Sequence, residues 1–471
     1  MRRSQLILRG CVLILLGTCS CLRASDWPQF RGPNTSGVVP GGFPTRFGPG
    51  TNELWSVPVP PGNSSPVIVE DRIFLTAHEG DSLWVLAYDR IDGRELWRRS
   101  LPPGTIERGA RLGSPATATP AVAGDSVVVY FGPFGLACFD RDGAERWRLP
   151  LPVPVTQHGA GTSPVIAGDL VLLNSDQDVG SHLLAVDLGT GRIRWRTERP
   201  HALRGFSTPL PWPSEKPRQV IVAGTLRLDA YDLVTGKPAW HVNGLPNEMV
   251  SSPIPAGDRI VIAGWTAGPG VRQMPAWEGL IQDGDKDGDG QLSRDEAPAG
   301  PARQHFAYLD ADKDGRLSRT EYVTAAHAFD ASRNVAMSVR PGGSGDVTAT
   351  HVEWTHSRGL PYCPSPLWID GRVYLLRNGG LLTCLDARNG KAHFQEERIG
   401  ALGDNYASPI GSENKVCVFS QPGVGVVLKV SDTLEVLAMN PLGDPVVATP
   451  ALSRGRLYVR SATRLWAFGE P

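Results

Sequence analysis

Two stretches of this 471-residue chain carry carboxylates at a spacing that gathers oxygen around a hard cation: "DKDGDGQLSRDE" at 285–296 and "DADKDGRLSRTE" at 310–321. A twelve-residue calcium loop places ligands at positions 1, 3, 5, 7, 9 and 12, with glycine at position 6 for the sharp turn. In the first loop these are Asp285, Asp287, Asp289, the Gln291 carbonyl, Ser293 through a water, and Glu296, with Gly290 at the turn. In the second they are Asp310, Asp312, Asp314, the Arg316 carbonyl, Ser318 and Glu321, with Gly315. Three short carboxylates plus a glutamate able to bind through both oxygens suit an ion that takes roughly six to eight oxygen ligands. Two calcium sites are therefore expected.

Leu292 and Leu317 share position 8, where an apolar side chain can join two loops through a short strand pair. Around the second loop, Phe306 and Leu309 before it and Tyr322, Ala326 and Phe329 after it stand at helical spacing. Trp277, Leu280 and Ile281 form a similar face before the first loop, but Pro298 and Pro301 stop an exit helix almost at once. The loops begin 25 residues apart, short for a tandem pair of EF-hands, so stable binding is expected rather than a large sensor-like opening.

The elements that must position these loops come from a repeat. "AYDRIDGRELW" (87–97), "CFDRDGAERW" (138–147), "AVDLGTGRIRW" (185–195), "AYDLVTGKPAW" (230–240) and "CLDARNGKAHF" (384–394) share a short strand, an Asp, a glycine turn and a strand ending in a large aromatic. Each reads as a hairpin: the Asp accepts from turn amides and the glycine takes a positive φ. A Ser/Thr-Pro marker precedes each unit, at Pro66, Pro120, Pro164, Pro209, Pro253, Pro366, Pro409 and Pro450. Successive spacings are 54, 44, 45, 44, 113, 43 and 41, so eight units recur at about 44 residues. The interval of 113 holds one unit plus an excursion that contains both acidic loops.

Four short strands per unit at this period describe a β-propeller blade. The eighth unit lacks a final Trp-bearing strand, and "NELWSVPVP" (52–60) supplies one, so the N-terminal strand is expected to close the ring. The fold class is thus all-β, an eight-bladed propeller with a small α-helical insertion in blade five. The expected division is an export signal at 1–24, an N-terminal extension at 25–50, the propeller at 51–265 and 333–471, and the calcium-binding insertion at 266–332.

The A-x-D-x-x-T-G-x-x-x-W repeat resembles the pyrroloquinoline-quinone (PQQ) propeller repeat over about 400 residues. That family includes quinoprotein alcohol dehydrogenases and the outer-membrane protein assembly factor BamB. The opening "DWPQFRGPNTSGV" (26–38) resembles the start of an exported bacterial subgroup, some members of which carry EF-hands. A quinoprotein enzyme would hold PQQ on the axis between a Trp and a disulfide of adjacent cysteines, beside calcium and a catalytic Asp. This chain has no Cys-Cys pair. The repeat residues Trp97, Trp147, Trp195, Trp240 and Trp354 read instead as blade-packing anchors. By resemblance to the assembly factor, a protein partner is expected before a small substrate, with carbohydrate as a further ligand class.

Composition narrows the field. The 41% apolar content supports a buried core, and the formal charge of −1 offers no basic surface for nucleic acid or anionic membrane. The charge is local: residues 266–332 hold 12 Asp/Glu against 7 Lys/Arg. Arg2 and Arg3, the apolar run Cys11–Leu16 and Ala24 read as an export signal cleaved before Ser25. "LGTC" is a poor lipidation site, so no lipid anchor is expected, and no segment is long enough to span a bilayer. The protein is therefore expected in the periplasm, on the cell surface or outside the cell. Cys138 and Cys384 occupy a repeat position held elsewhere by Ala and read as buried free thiols.

No catalytic constellation appears. His158, His182, His201, His351 and His356 lack zinc-type spacing, and Ser163 belongs to a marker rather than to a nucleophile motif. "HGAGTSP" (158–164), "RGFSTP" (204–209) and "YASP" (406–409) lead into marker prolines, which puts them on one rim of the central channel. That rim is the candidate surface for a ligand or partner. The expected function is a non-catalytic binding or scaffolding module that holds calcium, with a quinoprotein-type oxidoreductase as the alternative.

Overall fold

The computed structural model describes residues 26–102, 106, 113–156, 158–267 and 274–470. The export signal expected at 1–24 lies outside the described residues. Among those described, eight antiparallel sheets follow one another in chain order and form an eight-bladed propeller. Blade two shows why the sequence folds this way. Its second strand, Ser126–Phe131, is buried along its length and apolar from Val127 onward, as a strand covered on both faces must be. Its outermost strand, Glu145–Pro150, buries only Trp147.

The buried aromatic holds the next blade. Trp97 donates its indole N–H to the Arg141 carbonyl at 2.8 Å, and Trp147 does the same to Leu188 at 2.8 Å. Trp55, Trp195 and Trp354 repeat the contact with Arg90, Leu233 and Ala387. The hairpin glycine of the next blade lies flat on the indole: a Cβ on Gly143 would stand 2.7 Å from the Trp97 ring, so the site admits only glycine. Trp240 departs from the pattern. It is buried, but its N–H turns to Gln219 of its own blade. Blade five has no tight hairpin there. Instead Gly345–Asp346 adds a fifth, parallel strand beside Trp240 and His241.

The ring closes as expected. Glu53–Pro58 pairs antiparallel with Arg464–Phe468, Trp55 opposite Ala467 and Pro58 opposite Arg464. No edge strand of the eighth blade is left to the chain terminus.

The inserted segment leaves blade five after Arg259–Gly264 and returns at Val335–Val339, and those two strands pair as neighbours. Between them lie helices α1 (Trp277–Gly284), α2 (Pro301–Gln304), α3 (Phe306–Leu309) and α4 (Arg319–Ala331). They enclose a core of their own, built on Trp277, Leu280, Leu292, Phe306, Leu309, Leu317 and Tyr322. The loop leucines meet as expected, Leu292 opposite Leu317 in a two-residue antiparallel ladder. No helix leads directly out of the first loop; the chain turns through 297–300 before the short α2. On α4 the buried face is Tyr322, Ala325 and Ala328, with Ala326 and Phe329 only partly covered, one residue's rotation from the expected stripe.

Candidate functional site

The eight marker residues meet around the propeller axis. The backbone N–H of Ser65 donates to the Thr119 hydroxyl at 2.9 Å, Thr119 to Ser163 at 3.0 Å, and Ser163 to Thr208 at 3.2 Å. Thr208 donates to Ser252 at 2.9 Å, Ser252 to Ser365 at 2.9 Å, Ser365 to Ser408 at 3.0 Å, and Ser408 to Thr449 at 3.0 Å. One hydroxyl thus ties each blade to the next from blade one through to blade eight, seven links in all. The following proline explains the geometry: it biases the hydroxyl-bearing residue to extended backbone, with its N–H free to reach sideways. The sequence displayed the markers but not this use of their oxygens, because the partner lies a whole blade away.

These hydroxyls line a channel cavity of about 210 Å³, together with His158, Phe206, Tyr362, Cys363 and Tyr406 toward its mouth. The rim residues expected from the sequence are therefore brought together. His158 and Phe206 are in ring contact, 6.1 Å between centroids. Burial pushes the Cys363 thiol up to about 12, with the charges of Glu248 and Asp404 adding to the shift, so it remains a thiol near neutrality. Cys138 and Cys384 are buried, and desolvation raises them to about 11 and about 12.

The other end of the channel is stopped by the N-terminal extension. Trp27 bridges to Ile68 of blade one, Val38 to Gly411 of blade seven, and Phe30 reaches the cavity. Arg31 pins the crossing. It is fully buried and gives its N–H groups to the carbonyls of Thr35, Ser36, Pro366 and Pro409.

In the first acidic loop, carboxylate oxygens of Asp285, Asp287 and Asp289 lie within 4.8 Å of one another. Gly290, at φ 79°, turns the backbone so that its N–H meets Asp285 at 3.0 Å. Glu296 stands outside that trio and accepts from the amides of Lys286 and Ser293. These amides, with that of Ser293 foremost, hold its carboxyl below the usual range. Gln291 gives its amide to Asp289, and the Ser293 hydroxyl accepts from Glu296.

In the second loop the converging trio is Asp310, Asp312 and Glu321. Glu321 accepts from the amides of Ala311 and Ser318, and with Ser318 it forms a reciprocal cap at the start of α4. Asp310 is only 8% exposed, and its Oδ1 has no partner. Burial raises its pKa, and the neighbouring carboxylates Glu321, Asp314 and Asp312 add to the rise. Asp314 lies outside the trio and accepts from the Arg316 amide at 2.7 Å. The Arg316 side chain reaches across to pair with Asp289 of the first loop.

The insertion reads from sequence as an acidic appendage beyond a complete ring, but it is docked on the channel rim. The Arg204 guanidinium lies 4.0 Å from the Tyr308 ring centre and donates to the Tyr308 carbonyl. Arg204 also pairs with Asp178 at 2.6 Å. Lys313, inside the second loop, reaches the Thr156 carbonyl at 3.4 Å, two residues before channel-lining His158. Asn247 ties down both feet of the excursion, bonding Thr266 on the way out, Ser332 on the way back and the Tyr308 hydroxyl between them.

The rim loop carrying Arg204 is itself fixed by a buried charge cluster. Arg199 is fully buried and bonds Asp176 at 2.7 Å, Asp229 at 3.1 Å and the Tyr231 hydroxyl. Burial alone would raise Asp229, but Arg199 and His201 hold its carboxyl below the usual range. Nothing in the sequence pattern marked Arg199, Arg204 or Tyr308, since their partners lie on other blades.

A protein family described as outer membrane protein assembly factor BamB matches residues 81–243 and 204–470. Among solved structures, BamB from Moraxella catarrhalis aligns at 12% identity over 88% of this chain and 98% of its own, with a TM-score of 0.54. Quinohemoprotein alcohol dehydrogenase from Comamonas testosteroni aligns at 14% identity over 95% of this chain and 81% of its own, TM-score 0.54. The computationally designed Ika8 protein aligns at 11% identity over 89% and 99%, TM-score 0.55. These likenesses are of fold. No curated protein matches the chain in sequence. Among the described residues, no helix is long and apolar enough to cross a membrane.

Proposed function

The chain belongs to the outer membrane protein assembly factor BamB family, and on that premise we propose that it is an exported, non-catalytic binding module that holds two calcium ions. The observation that carries the calcium reading is Asp310: a buried carboxylate whose Oδ1 lacks a partner, converging with Asp312 and Glu321. A buried carboxylate left in this state is costly, and a bound cation removes the cost. In the first loop Asp285, Asp287 and Asp289 supply the converging oxygens, and Glu296 is held in its ionised form by backbone amides.

The binding reading rests on the channel walls. Among the described residues that line the cavity there is no Asp, Glu, Lys, Arg or Trp, and a single cysteine. Such walls do not fit PQQ as the quinoproteins hold it, between a Trp and a disulfide of adjacent cysteines and beside a catalytic Asp. They also offer no acid–base pair beyond His158, whose pKa is lowered by burial and then by Arg204. A partner of the assembly-factor kind meets the rim, where aromatic side chains and the docked insertion lie side by side. Membership of a family of outer-membrane assembly factors agrees with work outside the cytoplasm on a protein partner.

The quinone alternative gives the test. PQQ and calcium are added to the purified chain while tryptophan fluorescence and dye-linked alcohol oxidation are followed. The expected result is no saturable quenching and no turnover. Saturable quenching with turnover would sink the non-catalytic reading.

A further inference from the structure

We propose that the blocked channel is a binding site for a small oxyanion, an organic carboxylate or an inorganic oxyanion, held by the inner ring of hydroxyls. Seven of the eight ring hydroxyls already accept a backbone N–H, from Thr119 round to Thr449. A hydroxyl so occupied has its O–H left to give. All eight line one cavity and are nearly fully buried, Thr449 being the most exposed at 4%. Among the described residues, none of the eight O–H groups donates to a protein acceptor. Buried donors without acceptors call for an occupant that accepts.

The charge nearby has the matching sign. Arg31 lies behind the ring at blades six and seven and donates to the carbonyls of Pro366 and Pro409, each the residue after a ring serine. Arg460, also fully buried, donates to Pro60, Ser64 and Thr76, one residue short of ring Ser65. Neither arginine has a carboxylate within ion-pair distance among the described residues; each bonds neutral oxygens alone, and Nε of Arg460 has no partner. Burial lowers Arg31 to about 9 and Arg460 to about 10, the expected signature of uncompensated charge. Carboxylates stand instead at the mouth: Asp404 accepts from the Tyr406 hydroxyl at 3.0 Å, and Glu248 is hydrogen-bonded to Tyr362. An oxyanion that has passed these carboxylates reaches the ring, where donors surround it and positive charge lies behind it. Water can satisfy the hydroxyls, but it cannot balance the two arginines. The site stands whether or not the acidic loops take calcium.

The test is calorimetric titration of the full chain with sodium acetate, with inorganic phosphate in a second arm and sodium chloride at matched ionic strength as reference. Saturable heat from acetate, phosphate or both, beyond that from chloride, is expected, and the arm that saturates at lower concentration identifies the ligand source. Thr208→Val removes one ring donor and should weaken binding roughly ten- to hundredfold, the size of one hydrogen bond to a charged group. Phe30→Glu leaves the ring intact and sets a carboxylate in the cavity from its floor, so added oxyanion should no longer bind while the melting transition persists. Heats equal to those of chloride in both arms, or undiminished binding in a folded Phe30→Glu variant, would overturn the proposal.

Discussion

At the scale of single residues, Arg204 is the side chain on which insertion and channel meet. It stacks on Tyr308, pairs with Asp178 and stands two positions before channel-lining Phe206. Arg204→Ala removes a stacked cation and leaves Asp178 buried without its partner, a loss of about 3–5 kcal/mol for a buried pair broken on one side. Limited proteolysis should then cut between 267 and 332 faster than in the parent chain, with the propeller fragments still protected. Equal cutting rates would show that the dock does not depend on this contact. The carboxylate trios of the two loops, Asp285, Asp287 and Asp289 and then Asp310, Asp312 and Glu321, were legible as clusters because their members lie within twelve positions. Arg204 and Tyr308 were not, since 104 residues separate them.

At the scale of elements, the blades were legible and the fifth was the exception. Strand, Asp, glycine turn and Trp recur because one hairpin solves the same packing problem in each blade. Blade five has a longer excursion in place of that hairpin, so Trp240 lost its expected neighbour and gained the strand Gly345–Asp346. The Asp176–Arg199–Asp229 cluster, joining blades three and four, carries a pH prediction. Asp229 has a folded pKa below its unfolded value, so the stability it contributes is present above the unfolded pKa and is lost as pH falls through the folded one. Thermal melts should therefore fall steeply below about pH 4. Asp229→Asn should flatten that limb while lowering the plateau at neutral pH. An unchanged acid limb in a folded Asp229→Asn variant would remove this cluster as its cause.

At the scale of the whole molecule, the channel is stopped at one end by residues 27–38 and flanked at the other by the docked insertion. Ring closure was legible because the eighth unit visibly lacked a strand and "NELWSVPVP" visibly supplied one. The stopper was not, because "DWPQFRGP" has no strand periodicity and its contacts are with blades distant in sequence. The same holds for the docking of the insertion. Its separate core, around Trp277, Phe306 and Tyr322, was readable from helical spacing, whereas its seat on the rim depends on Asn247, Thr156 and Arg204.

The proposal that the insertion holds calcium is tested most directly by scanning calorimetry of the full chain with about 1 mM calcium and with chelator. A site binding at about 10 µM would add about 2.7 kcal/mol under those conditions. A calcium-dependent upward shift of the insertion's transition is expected. Asp285→Ala combined with Asp310→Ala should abolish that shift and leave the ring's transition in place. Identical scans of the parent chain with and without calcium, or collapse of the whole ring in the double variant, would contradict it.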